Sequence, residues 1–437
     1  MLERKDPRIE IANRPMSRLQ IFVIFLCIAL NAMDGFDVLA ISFAAPGIAD
    51  EWGINKTVLG IVLSMELIGM AIGSIVLGNI ADKLGRRPVI LVCLLMMAIG
   101  MFLSAAANSV LFLSIVRLVT GFGIGGMLSS TSAMVAEYSN EKRRSLATIL
   151  NIAGYAMGAI IGGVIATKLL AISGDWRSVF IFGGAVTAVL LPVVALFLPE
   201  SIHSQLARRP PNTLAKINKT LVRMKWKPVE DLVEPDPRID RPSILALFSK
   251  RYIVVTCTLT VAYFAQIMAF YFIQKWTPKI VVDLGFDPAS AGQVLVFANV
   301  GSLTGAIVLG LISSKVNLKF AVIVSMISAF VCFGLFGMGH SSLMGLSIFA
   351  AATVCFTNAG VVGMYPILAQ SFPASLRASG TGFVIGLGRG GAALGPIIAG
   401  SLFQAGNSLQ VVSLVMGSGA LLAALMIFTL FRRKPEN

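Results

Sequence analysis

The sequence predicts an all-α membrane protein, with twelve transmembrane helices in two six-helix bundles related by pseudo-two-fold symmetry. Three observations carry this. Of the 437 residues, 56% are hydrophobic and only 13% charged, against about 25% charged in an ordinary soluble domain. The mean hydropathy is +0.85, which excludes a soluble enzyme, a DNA-binding protein and a disordered tail. Twelve apolar runs reach the roughly 20 residues that a helix needs to cross a bilayer. Finally, the two halves of the chain echo each other.

The elements follow in order. Residues 1–18 form a polar, basic tail. The first apolar run then begins without a small-residue cleavage site and contains acids, so an uncleaved span is expected rather than a signal peptide. The first bundle, 19–198, holds runs near 19–41, 57–80, 88–107, 109–136, 146–170 and 177–198. A polar stretch at 199–251, rich in Lys, Arg, Pro, Asp and Glu, reads as a cytoplasmic linker with a surface helix over 213–227. The second bundle, 252–431, holds runs near 252–274, 289–312, 320–339, 343–368, 379–403 and 408–431, before a tail at 432–437.

Lysine and arginine orient the chain. With the N-terminus cytoplasmic, 28 of the 35 basic residues fall on that side, together with the linker and the C-terminus. Lys56, Lys168, Arg177, Lys275 and Lys279 are assigned to outer loops, and Trp52, Trp176 and Trp276 to an aromatic belt at the outer interface. The net charge of +14 is thus a topology signal, and no nucleic-acid partner is expected. Glycine is frequent, with 42 residues, as close helix packing in a membrane requires.

The repeat is visible in two places. GNIADKLGRRP at Gly78 has a weak echo, GLISSKVNLKF, at Gly310. AEYSNEKRRSLAT (136–148) is echoed by AQSFPASLRASGT (369–381), which aligns Arg144 with Arg377, Gly158 with Gly391 and Gly162 with Gly395. An even number of spans per half makes the repeat parallel, the arrangement of secondary transporters that rock two bundles about a central site.

Gly78-x-x-x-Asp82-Lys83-x-Gly85-Arg86-Arg87-Pro88, Arg117-x-x-x-Gly121-x-x-x-Gly125 and Leu198-Pro199-Glu200-Ser201 resemble motifs of the major facilitator superfamily, over nearly the whole chain. Asp34-Gly35-Phe36-Asp37, followed by Ala45-Pro46 and Glu51-Trp52-Gly53, is similar to the first-span pattern of the aromatic acid:proton symporter family. That resemblance implies import of a benzoate-like or hydroxybenzoate-like carboxylate with protons, across a bacterial-type inner membrane. Drug:proton antiporters of the superfamily carry Gly-Pro in a fifth-span glycine run. Here Ala159 stands where that proline would be, which weakens the efflux reading. Efflux of a drug or metabolite, symport of a non-aromatic organic acid, a non-transporting sensor and a channel are the rivals.

Ionisable residues within spans are costly and are expected to face a cavity or a partner. Asn31, Asp34 and Asp37 are spaced by three and share a helical stripe. Two carboxylates one turn apart repel when both are ionised, which suits a group that binds and releases a proton. Glu66 is expected to extend this cluster or to pair with Arg117, and Arg117 to neutralise one of the three acids. Arg389 stands among small residues with no acid in any span of its own half. Its guanidinium is assigned to the substrate carboxylate. Tyr263, Gln266 and Phe270 on the seventh span and Asn358 and Tyr365 on the tenth are candidate wall residues, with Asn31 beside them.

At the cytoplasmic side a gate is expected from Gly78, Asp82, Gly85, Arg86, Arg87, Glu137 and Arg144. Resemblance places Asp82 at the N-terminus of the eleventh span, where a helix dipole favours an anion. His203 and His340 are the only histidines and map to loops, so carboxylates are left as proton carriers. No Gly-x4-Gly-Lys-Ser/Thr loop occurs, so ATP is not expected as the energy source. The five cysteines have no paired spacing, and no metal or cofactor is expected beyond the proton as coupling ion. The partners implied are a small organic anion and the lipid bilayer, with the protein able to work as a monomer.

Overall fold

A computed structural model describes residues 6–232, 244–373 and 376–432. The middle of the linker and Arg433 and Lys434 of the C-terminal tail lie outside the described residues. Among the described residues fifteen α-helices follow in order: α1 (Pro7–Asn13), α2 (Arg18–Trp52), α3 (Lys56–Leu84), α4 (Arg86–Ala105), α5 (Val110–Tyr138), α6 (Glu141–Ser173), α7 (Arg177–Phe197), α8 (Ile202–Arg208), α9 (Thr213–Arg223), α10 (Ile253–Asp283), α11 (Pro288–Ile312), α12 (Leu318–Gly337), α13 (Leu343–Ser371), α14 (Arg377–Gln404) and α15 (Leu409–Arg432). Twelve of them, α2–α7 and α10–α15, are long and apolar enough to cross a membrane.

Local signals set the helix ends. Ser17 and Gln20 form a reciprocal capping box at the start of α2, and Gly53, at φ 56°, ends it in the left-handed region that glycine tolerates. The helix runs eleven residues past the expected end at 41, because AISFAAPGIA stays apolar and a proline is tolerated inside a membrane-spanning helix. At about 1.5 Å per residue α2 is roughly 50 Å long, well beyond a hydrocarbon core of about 30 Å.

α10 departs further from expectation. The seventh span was expected to end at 274, but the helix continues to Asp283 through Lys275 and Pro278. Lys275 is therefore inside a span and fully buried, not in an outer loop. A charge followed by a proline reads as a boundary in sequence. The helix passes through it because the ammonium finds an anion on a neighbouring helix. Trp176 and Trp276 are also corrected, at 3% and 1% exposed. They turn inward because their indole N–H groups donate to Glu51 Oε2 (2.8 Å) and to the Pro396 carbonyl (3.1 Å), so neither joins a lipid-facing belt. His203 lies on α8 rather than in a loop.

Glycine lets the helices of each half touch at backbone distance. A Cβ at Gly69 or Gly73 of α3 would collide with the Leu118 or Phe122 carbonyl of α5, and one at Gly121 of α5 with the Glu66 carbonyl of α3. The second half repeats this between α11 and α13, where Gly301 and Gly305 meet the carbonyls of Ala351 and Cys355. Gly158 packs α6 on α2, and its sequence echo Gly391 packs α14 on α10. The halves meet where α3 lies on α14, α6 on α11 and α2 on α10.

The molecule has a linker end, where α1, α8 and α9 gather, and a far end near residues 53, 174, 285 and 406. Between the halves, the far end is tightly closed. Gly60 abuts the Pro396 carbonyl and Gly400 the Lys56 carbonyl. Lys56 Nζ lies 3.0 Å from Asp283, and its backbone N–H donates to Gln404 Oε1 at 3.0 Å. At the linker end α1 is strapped to the first bundle by the Asn140 amide, which donates to the Arg14 carbonyl at 3.0 Å.

Candidate functional site

The candidate site is built from α2, α3, α5 and α6 of the first half and α10, α13 and α14 of the second. α2 presents Asn31, Asp34 and Asp37 on one stripe, each at most 1% exposed. Among the described residues, neither carboxyl oxygen of Asp34 or of Asp37 has a hydrogen-bond partner. The Asn31 amide donates to the Asn151 carbonyl of α6, leaving its own oxygen unpartnered. Buried polar groups are normally satisfied, so three such residues on one face mark a place that something else completes.

Glu66 and Arg117 are fully buried and pair with each other. Glu66 also lies within electrostatic reach of Asp37. Arg117 also donates to the Asp37 carbonyl at 2.9 Å, touches Met101 Sδ at 3.3 Å and lies 5.4 Å from the centre of the Phe180 ring. Lys275 completes the cluster from the other half. Its ammonium is 3.3 Å from Glu66 Oε2 and donates to the Val38 carbonyl. Two cations, one from each bundle, thus share one carboxylate beside the two unpartnered aspartates.

Across the interface Arg389 is half-buried on α14, with its Nη1 unpartnered. It is within electrostatic reach of the phenols of Tyr263 and Tyr271. Tyr263 packs against Gly388, and its hydroxyl is 3.4 Å from that of Tyr365, which is 37% exposed. Phe270 meets Tyr271 edge-on at 5.3 Å. The Gln266 amide donates to the Thr357 carbonyl at 2.8 Å and leaves its oxygen free, while Asn358 donates to the Ser302 carbonyl at 2.9 Å. Tyr155 of α6 faces Tyr271 from the first half and is within electrostatic reach of Glu66 and Asp34, while Tyr271 is within reach of Glu66 and Arg389.

The sequence reading missed Lys275, Tyr155 and Tyr271. Lys275 had a signal, since the apolar run resumes after it as IVV. Tyr155 had a weaker one, four residues after Asn151 and three before Gly158 on one helical face.

At the linker end the gate residues stay within the first half. Asp82 pairs with Arg86 at 2.6 Å, its side chain 62% exposed, rather than with the start of α14. Arg86 also meets Glu137 at 3.3 Å, and Arg87 donates to the Ala195 carbonyl at 2.5 Å. Gly85 turns the chain at φ 113°, where Glu200 accepts from the Arg86 N–H at 3.0 Å and caps α4. Gly78 faces Ser129, and Arg144 is half-buried with its Nε unpartnered.

Residues 24–362 match the family described as Major Facilitator Superfamily. The chain belongs to the Major Facilitator Superfamily. It is 30% identical over 421 residues to a gallate transporter of Pseudomonas putida, covering 95% of this chain and 93% of that one. It is 29% identical over 432 residues to the 4-hydroxybenzoate transporter PcaK of Acinetobacter baylyi, covering 97% and 93%. Its fold matches the xylose transporter XylE from E. coli, in a partially occluded inward-open conformation, with a TM-score of 0.73 at 15% identity, over 96% and 99% of the chains. As a member of this superfamily, the protein is a multi-pass membrane transporter and not an enzyme.

Proposed function

We propose that this transporter imports a small aromatic carboxylate, of the benzoate or hydroxybenzoate type, together with protons by alternating access. The observation that carries the reading is the pairing of unmet needs across the two halves. Asp34 and Asp37 lack any donor, and Arg389 has a free guanidinium N–H. A proton completes the carboxylates and a substrate carboxylate completes the arginine, which binds such a group through paired N–H bonds. Tyr263, Tyr271, Tyr365 and Phe270 supply ring faces and hydroxyls for a hydroxylated aromatic body. Gallate and 4-hydroxybenzoate, named for the two relatives, both have that chemistry. Asp34 and Asp37, with Glu66 and Arg117 beside them, handle the proton. Asn31, Gln266 and Asn358 line the site.

In this reading the linker end is cytoplasmic, as the lysine and arginine distribution requires, and the membrane is a bacterial-type inner membrane. The far end is then periplasmic, and its closure makes this the inward-facing state. The gate around Asp82, Arg86, Arg87, Glu137 and Arg144 engages the second half only in the opposite state. One monomer is the working unit.

The test is uptake of radiolabelled 4-hydroxybenzoate by proteoliposomes with an alkaline lumen. Accumulation above equilibrium that a protonophore collapses is expected. Accumulation insensitive to the protonophore excludes proton symport, and extrusion under the same gradient gives efflux instead.

A further inference from the structure

We infer that Lys275 is the tie that holds the far end shut, and that it must release Glu66 each time that end opens. Lys275 sits on α10 of the second half, yet both of its partners, the Val38 carbonyl and Glu66 Oε2 at 3.3 Å, belong to the first. Arg117, the other cation on Glu66, belongs to the same half as Glu66. When the bundles rock apart at the far end, Glu66 and Arg117 move as one body and Lys275 leaves with the other.

That asymmetry makes a fully buried tie breakable. Removing one partner of a lone buried pair strands a bare charge, which is strongly unfavourable. Here Glu66 keeps Arg117, so no anion is stranded. The departing ammonium moves with α10 into the widening gap, where water solvates it. Arg117 also holds the Asp37 carbonyl, and Lys275 the next one along, Val38. The tie therefore grips α2 at Val38, one residue past the second unpartnered carboxylate, Asp37.

The other charge contact between the halves at this end is of a different kind. Lys56 and Asp283 pair at 3.0 Å, but with side chains 39% and 32% exposed. Such a solvent-screened pair contributes little. Lys275, with no exposure, is the contact whose loss the closed state feels.

Distances between spin labels at Ile172 on α6 and Leu284 at the end of α10 test this by double electron–electron resonance, in protein whose native cysteines at 27, 93, 257, 332 and 355 are replaced. Both positions are exposed, at 84% and 41%. No substrate is added, so the outcome does not depend on which solute is carried. The parent should give a dominant short distance. K275Q should raise the long-distance population at least threefold, E66Q should do the same from the other half, and K56Q should produce less than half that change. A K275Q distribution that superimposes on the parent overturns the inference, as does a K56Q effect as large as that of K275Q. Should K275Q fail to give monodisperse protein, E66Q reads the same tie with Lys275 in place, and an unchanged E66Q distribution overturns it equally.

Discussion

Asp34 and Asp37 share complete burial and a complete lack of donors, but their neighbours differ. Asp37 lies within electrostatic reach of Arg117 and Glu66, whereas Asp34 lies within reach of Asp37. Asp37 is thus the carboxylate tied to the charge cluster. Asp37→Asn should spare exchange of preloaded labelled substrate for unlabelled substrate, yet reduce gradient-driven accumulation by tenfold or more. Equal loss of exchange and accumulation would make the residue structural. Arg389→Gln should abolish the thermal stabilisation of purified protein by benzoate-type carboxylates. A retained shift would place the anion elsewhere. These charged residues were legible in the sequence because an ion inside a 20-residue apolar run has few tolerable roles. Lys275 was not, because a lysine at the end of such a run reads as a loop residue until its partner on another helix is known. Tyr155 and Tyr271 were illegible for a plainer reason, since nothing in one sequence separates a packing aromatic from one that lies close to a buried charge.

The helices pack through glycines whose replacement has a predictable cost. Gly121→Leu forces a side chain into the Glu66 carbonyl, on the helix that holds the ion-paired carboxylate. Overpacking of this kind costs roughly 1–3 kcal/mol, and here it also pushes α3 away from α5. The variant should lower the melting temperature in detergent and transport together, while Gly121→Ala should be milder in both. Glu200 acts at a helix end, accepting from the backbone N–H groups of Arg86 at 3.0 Å, Arg87 at 3.4 Å and Ser201 at 2.9 Å. Glu200→Ala should cost roughly 1 kcal/mol by uncapping α4, read as a small fall in melting temperature with binding retained. The apolar runs marked the spans in sequence, but their ends were less legible. α2 and α10 overran expectation because each continues through a proline, Pro46 or Pro278, which reads as a boundary in sequence but is tolerated inside a membrane-spanning helix.

At the scale of the whole molecule, the paired halves were legible in the echo of 136–148 at 369–381, and the packing roles of Gly158 and Gly391 give that echo its physical reason. Which end is closed was not legible, because one sequence must serve both states of an alternating-access cycle. The far-end closure comes from contacts between bundles, such as Gly60 with Pro396 and Lys56 with Asp283, that no local pattern announces. Everything functional then turns on whether solute and proton cross together through the interface between the halves. The most direct measurement is external pH, followed as 4-hydroxybenzoate is added to weakly buffered, de-energised proteoliposomes. Wild-type protein should alkalinise the medium in step with solute entry, and the Asp37→Asn variant should not. Solute entry into wild-type vesicles with no accompanying pH change would contradict proton coupling at these carboxylates.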